Sequence, residues 1–144
     1  MEGLIFKIVL FVLLFSIGWL VGRHVEQKHL RVLEEKEKKL AHIKMDTNKF
    51  QTSQNSGQLI ESNVVIANDY FKYVIAQIRN FFGGRLTTYE SVVDRARREA
   101  IVRLKQKAVD VGANQIMGLR LSTTELGMEG GMVEVFAYGT AIKY

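Results

Sequence analysis

The sequence contains no cysteine and no proline, and its three histidines, His24, His29 and His42, all lie in the first third of the chain. Without cysteine, disulfides, thiolate zinc sites, covalent haem attachment and a lipoprotein anchor are all excluded. The absence of proline favours long uninterrupted helices. The spacing of the histidines places no i,i+4 pair on one helix face, so no metal site and no cofactor are predicted. With 144 residues the chain has room for about one domain.

An apolar run from Leu4 to Gly22 carries a single charged residue, Lys7. About 20 helical residues at 1.5 Å each cross a hydrocarbon core of roughly 30 Å. The residues before the run, Met-Glu-Gly, lack the positive charge of a signal peptide, and no small-x-small cleavage site follows it. We therefore predict that residues 1–22 form one uncleaved transmembrane anchor, with membrane lipids contacting residues 4–22.

Basic residues follow the span more than they precede it. Arg23, Lys28 and Arg31 come after it, whereas only Lys7 and the α-amine lie on the other side. Because positive charge tends to stay in the cytoplasm, we expect a single-pass protein of the inner (cytoplasmic) membrane whose soluble part faces the cytoplasm. A formal net charge of +5 is compatible with lipid headgroups beside the membrane.

Gly18 and Gly22 form a Gly-x-x-x-Gly pair within the span. Small residues four apart allow transmembrane helices to approach closely, so the two glycines are candidate oligomer contacts in the membrane. Glycine is also common in transmembrane helices generally, and the sequence leaves that alternative open.

Residues 23–45 predict a charged helical stalk with no helix breaker. A partial apolar seam runs along it, formed by Leu30, Leu33, Leu40 and Ile43. Glu37 interrupts this seam where a heptad repeat would place another apolar residue. The stalk is therefore either a solvated helix or a loose coiled coil with sister chains. Residues 46–57 are rich in Asn, Ser, Thr and Gln, which predicts a polar linker.

Residues 58–144 predict a small α+β domain with the order β-α-α-β-β and a mixed sheet. The expected strands and helices are Leu59–Ala67 (strand), Tyr70–Phe82 (helix), Thr88–Val111 (helix), Gln115–Thr124 (strand) and Met132–Tyr144 (strand). The long helix carries a stripe with a period of three to four residues, Val93, Ala96, Ala100, Leu104, Ala108 and Val111. In the strand Gln115–Thr124, Met117, Leu119 and Leu121 alternate with more polar residues and are expected on one face.

The last strand is apolar on both faces, which favours burial of the second face in a subunit interface. Val133, Val135, Ala137 and Ala141 share one face, and Phe136, Tyr138, Ile142 and Tyr144 share the other.

Several short motifs occur along this domain in a fixed order. They are Ala67-Asn68, Ile78-Arg79, Gly83-Gly84-Arg85, Tyr89-Glu90, Ala96-Arg97, Gly112-Ala113-Asn114, Ile116-Met117-Gly118 and Gly139-Thr140-Ala141. With these motifs the chain resembles the YbjQ-like family, small bacterial and archaeal domains labelled "putative heavy-metal-binding". The resemblance implies a compact α+β fold that assembles into a homopentameric ring, with no established enzyme activity. The metal label lacks support here, because the domain from residue 58 onward has neither Cys nor His.

Gly83, Gly84 and Arg85 could surround an anion with backbone amides and a guanidinium, with Thr87 or Thr88 contributing a hydroxyl. A tight turn between two helices explains the same residues. Glu90 and Asp94 are the one close carboxylate pair of the long helix, and a solvated pair explains them as well as catalysis does. The basic residues of that helix alternate with acidic ones, so no nucleic-acid partner is expected.

The sequence thus favours a membrane-tethered homo-oligomeric scaffold or assembly module without catalytic activity, whose protein partner it does not identify. The alternatives are a ring that binds small ligands or anions and a pore formed by bundled anchors. Ser16 and Lys7 are the only polar side chains that the span could offer to a pore, which disfavours an aqueous channel.

Overall fold

The computed structural model of the chain describes residues 2–48, 53, 55–67, 87–126 and 132–143. It contains two helices and four strands in these ranges: α1 Glu2–Lys39, β1 Lys44–Met45, β2 Gly57–Ala67, α2 Thr87–Asp110, β3 Gln115–Leu126 and β4 Met132–Ile142. The expected α+β class and three of the predicted strands are confirmed. The predicted helix Tyr70–Phe82 lies outside the described residues.

The chain divides into two compact units, Met1–Val32 and Leu33–Tyr144. The second unit begins earlier than residue 58, where the sequence placed the start of the domain. It includes the last turns of α1, which supply apolar side chains to the interior.

The predicted stalk helix is too long at its C-terminal end. α1 ends at Lys39, and Lys44–Met45 form the short strand β1, which pairs in parallel with Gln115 and Ile116 of β3. Beyond the helix, Ile43 is buried in the main core, 3% exposed. The start of the predicted polar linker also stays with the sheet, since the Asp46 amide donates to the Ile116 carbonyl (2.9 Å).

The four strands form a mixed sheet in the order β1-β3-β4-β2. β4 lies between β3 and β2 and is antiparallel to both, whereas β1 and β3 are parallel. Leu126 of β3 pairs with Met132 of β4, so the end of one strand lies beside the start of the next. The predicted mixed sheet is confirmed.

A β-bulge in β3 changes the alternation that the sequence predicted. The register shifts between Met117 and Arg120, and Gly118 adopts a positive φ of 63°. Ile116 and Leu119, three residues apart, therefore both reach the core. Met117, predicted to share a face with Leu119 and Leu121, is not part of that core cluster. Leu121 pairs with the core residue Ala137 but is 40% exposed, because α2 packs mainly against β2 and β4 and covers little of β3.

α2 packs against the sheet through the predicted small-residue stripe, of which Val93, Ala96, Ala100, Leu104 and Ala108 are all buried. Close approach lets the buried Ser62 hydroxyl of β2 donate to the Ala100 carbonyl of α2 (2.8 Å). Val111 is the exception and is 42% exposed. The helix has ended at Asp110, and Gly112 turns the chain away with a φ of 73°.

Candidate functional site

The predicted anion site is not described by the structure, because Gly83, Gly84 and Arg85 lie outside the described residues. Thr87 and Thr88 are the first two residues of α2, and Glu90 is an acidic residue in its first turn. A negative side chain there suits the helix dipole.

The carboxylate pair of α2 is exposed to solvent. Glu90 is exposed, and the side chain of Asp94 is 74% exposed, with one oxygen 4.0 Å from Arg97. Acid–base catalysis generally requires a carboxylate in a pocket that shifts its pKa. These two residues therefore match the solvated interpretation.

The first part of α1 presents large apolar side chains to the outside on all sides. The helix Gly3–Lys39 contains an 18-residue window of mean hydropathy 2.6, and none of that window is buried. Phe6 and Phe11 are 69% and 68% exposed. Gly18 and Gly22 both lie within this helix. By length and composition this one helix could cross a membrane, and a signal sequence near the N-terminus would satisfy the same criteria.

The last part of α1 packs against its own domain. Leu33 and Leu40 form a small buried cluster with Val102 of α2, and Leu33 is only 1% exposed. Ile43, next along the predicted seam, belongs to the main core. We call residues 33–43 the docked segment. Three of the four seam residues are thus covered within one chain, so they are not available to pair with a sister chain as a coiled coil.

Glu37, the residue that interrupts the heptad pattern, forms the polar centre of this packing. Arg98 Nε and Nη2 of α2 donate to its two carboxylate oxygens, each at 2.8 Å. Lys105 Nζ donates to the Leu40 carbonyl nearby (3.2 Å). The hydrogen bonds from Arg98 hold the pKa of Glu37 below its ordinary value, and the same bonds raise the pKa of Arg98. The two-point geometry fixes the orientation of the docked segment on α2.

The sheet face opposite α2 carries partly exposed apolar side chains among polar ones, since Tyr138 is paired with Glu61 and Arg120, and Phe136 with Asn63 and Ser122. On β4, Phe136 and Tyr138 form an aromatic pair with ring centroids 5.6 Å apart, and Tyr138 is 39% exposed. On the neighbouring β2, Leu59 and Val65 are 67% and 51% exposed. Ile142, predicted for this face, is buried at 3% exposure. We call Leu59, Val65, Met132, Phe136 and Tyr138 the outer apolar face.

Metal donors are few in the described part of the chain. No three His, Cys, Asp or Glu side chains among the described residues are grouped to hold an ion. His42 is exposed, and its Nδ1 lies 3.0 Å from the Lys39 carbonyl oxygen. Thiolate and imidazole are the ligands that soft metals prefer, and residues 43–144 contain neither. The donor set of this segment therefore does not fit a heavy metal.

Known proteins are similar to the chain over the segment that follows α1. A family model described as "Putative heavy-metal-binding" matches residues 43–144. A UPF0145 protein of Listeria ivanovii is 39% identical over 85 residues, which are 59% of this chain and 77% of the relative. A UPF0145 protein of Listeria welshimeri is 38% identical over the same shares.

A crystal structure of a protein of unknown function from Pediococcus pentosaceus, of the DUF74 family, aligns with a TM-score of 0.43 and 18% identity. The alignment covers 69% of this chain and 94% of that one. The matched segment starts at Ile43, within the docked segment, and includes β1 to β4 and α2. From Ile43 to its last residue, the chain belongs to the YbjQ-like family.

Proposed function

We propose that this protein is a membrane-tethered, homo-oligomeric assembly module without catalytic activity, its domain lying on the cytoplasmic side of the inner membrane. The observation that carries the proposal is the first part of α1, which contains an 18-residue window of mean hydropathy 2.6, none of it buried.

Exposed apolar surface of this extent supports a membrane tether. A helix that is apolar on all sides is stable only in a protein core or in lipid. In the described residues, no part of the chain buries the 18-residue window. Lipid would cover it, and the charged residues that follow would remain in water.

The outer apolar face supports self-association of the domain. Met132 and Tyr138 are 41% and 39% exposed on β4, which lies between β2 and β3, and a partner surface would bury them. Burial of apolar area contributes roughly 25 cal/mol per Å². Identical subunits usually satisfy such a surface in a closed cyclic assembly. The family resemblance makes a ring of five the specific proposal.

A metal-dependent function is disfavoured by the chemistry of the matched segment. The family description names a heavy metal, whereas residues 43–144 offer only oxygen and amide donors and a thioether from methionine. The proposed function therefore involves no metal bound by residues 43–144.

Native mass spectrometry of the full chain in detergent tests the assembly. We expect a mass of five subunits, reduced to smaller species by Tyr138→Glu, which places a charge on the outer apolar face. The matched control Glu35→Gln changes an exposed residue of α1 and should leave the mass unchanged. A wild-type monomer that retains its sheet by circular dichroism would overturn the oligomeric part of the proposal.

The full chain is required for this experiment. A fragment of residues 46–144 would remove Leu33, Leu40 and Ile43 together with β1, and would expose Val102. Loss of assembly in such a fragment could therefore reflect loss of folding.

The orientation is tested by a reporter fused to the C-terminus. We expect a fused green fluorescent protein to be fluorescent and a fused alkaline phosphatase to be inactive, as for a cytoplasmic C-terminus. Active phosphatase would show the opposite orientation.

A further inference from the structure

We propose that the exposed basic segment of α1, residues 23–31, binds the headgroups of anionic phospholipids in the leaflet where the span ends. This inference rests on the proposed membrane tether and adds the class of lipid that the protein selects. The segment is immediately adjacent to the apolar run and lies in the same compact unit, Met1–Val32.

The charge of this segment is concentrated and accessible. It contains Arg23, Lys28 and Arg31 against one acidic residue, Glu26. All three basic side chains are exposed. His24, Lys28 and Arg31 recur at spacings of four and three residues, so they lie along one face of the helix.

The length of the helix keeps these charges near the membrane surface. At 1.5 Å per residue, Arg31 lies roughly 12 Å along the helix from Arg23. The negative potential of an anionic leaflet extends about one Debye length, some 8–10 Å at physiological ionic strength. Arg23 and Lys28 fall within this distance, and the long side chain of Arg31 can reach back towards it.

Arg23 also contacts Trp19, and this contact sets the depth of the guanidinium in the membrane. Its guanidinium carbon lies 5.5 Å from the centroid of the Trp19 ring. Tryptophan is enriched where hydrocarbon meets headgroup, so a guanidinium stacked on it lies at the depth of the lipid phosphates. Arginine also binds phosphate with a two-point geometry. The Trp19–Arg23 pair thus places a phosphate-binding group at the correct depth.

The test measures which lipid the protein retains. The full chain is purified in mild detergent and exposed to equal amounts of phosphatidylglycerol, which is anionic, and phosphatidylcholine, which is zwitterionic, and bound lipids are counted by native mass spectrometry. We expect at least roughly fivefold enrichment of phosphatidylglycerol, the factor expected from a single basic residue near an anionic surface. The variant R23Q/K28Q/R31Q should lose it. Detergent micelles remove any effect of altered membrane orientation.

The matched control K36Q/K38Q/K39Q removes three charges from the last turn of α1, and it should keep the enrichment. Equal loss in both variants would show a general effect of net charge and would overturn the assignment to residues 23–31. Competition by inorganic phosphate at equal concentration would show that a free anion occupies the site, and this would also overturn it.

Failure of the proposed tether is measured separately. If the wild-type chain is extracted from membranes by alkaline carbonate, the tether itself is absent, and the lipid inference fails with it. If the chain resists extraction and retains both lipids equally, only the lipid inference fails.

Discussion

Two stretches carry large apolar side chains, one within α1 and one that extends past its end, and they have opposite environments. Between Leu4 and Gly22 these side chains are mostly exposed, as for Phe6 at 69%. In the docked segment they are covered, as for Leu33 at 1% and Leu40 at 7%. The difference lies in the pattern of the neighbours. The first stretch is apolar on every face, whereas the second alternates with charge and leaves one narrow apolar face.

The two stretches differ in the kind of partner that can cover them. A helix that is apolar all round finds no partner large enough in a small domain, and lipid is the proposed partner. A helix with a narrow apolar face can be covered by one other helix, here α2 through Val102. Beside this apolar contact, Arg98 donates two hydrogen bonds to the Glu37 carboxylate.

The largest effect is expected in the middle of the first stretch. Leu13→Arg places a charge at the centre of the span, which costs about 2.5–3.5 kcal/mol of membrane insertion. We expect a reduced fraction of protein that resists carbonate extraction, with Leu13→Ala as the apolar control. The unfolding midpoint of the domain should not change. Full retention in the membrane fraction would contradict the assignment of lipid to this stretch.

Truncation of a leucine to alanine should affect the free energy of unfolding differently in the two stretches, and less than Leu13→Arg affects membrane insertion. Leu33→Ala removes a buried side chain from a small cluster and should lower the free energy of unfolding by about 2–3 kcal/mol, the lower part of the range for such changes. Leu14→Ala, in the exposed stretch, should leave domain unfolding unchanged. Denaturant unfolding of the full chain in detergent, followed by circular dichroism, measures both. Equal effects would remove the distinction between the stretches.

Most of the fold could be predicted from periodicity. The bounds of α2 and of β2 to β4 follow from stripes and alternation, and Gly112 marks the helix end. The role of the docked segment could not be predicted. Its seam has the same pattern whether its partner is a sister chain or α2, and only tertiary contacts distinguish the two. Glu37 could have indicated the docking, because an acidic residue within an apolar seam calls for a basic partner. The long helix contains several basic residues that could be this partner, among them Arg98.

Other misses have local causes. Met117 was predicted to share a face with Leu119 and Leu121, but the bulge at Gly118 adds a residue that the alternation does not reveal, so Ile116 and not Met117 joins Leu119 in the core. The signal of the bulge was the glycine itself, which often marks a bulge within a strand. Gly139 lies opposite the bulge, and a Cβ there would come within 2.8 Å of Ile116 Cγ2. The candidate anion site stays a prediction.

The ion pair of the docked segment gives a smaller, pH-dependent effect. Glu37→Gln should lower the free energy of unfolding by about 0.2–1 kcal/mol at neutral pH, because the pair is partly exposed. The pKa of Glu37 is lowered in the folded state, so the pair stabilises above the ordinary value of 4.5 and is lost as pH falls through the lowered pKa. The difference between wild type and variant should therefore shrink in acid, as measured by denaturant unfolding. Glu35→Gln is the control, and a difference independent of pH would refute the assignment.

The smallest expected effect concerns metal. Residues 43–144 lack thiolate and imidazole, so the segment that defines the family should take up no zinc or copper at micromolar concentration. Imidazole exists only before that segment, at His24, His29 and His42. Calorimetry on the full chain and on H24Q/H29Q/H42Q separates the two regions. Any heat in the wild type that disappears in the variant belongs to the helix and its turn. Stoichiometric uptake that survives in the variant would contradict the prediction, and would show that oxygen and thioether ligands suffice to bind the metal.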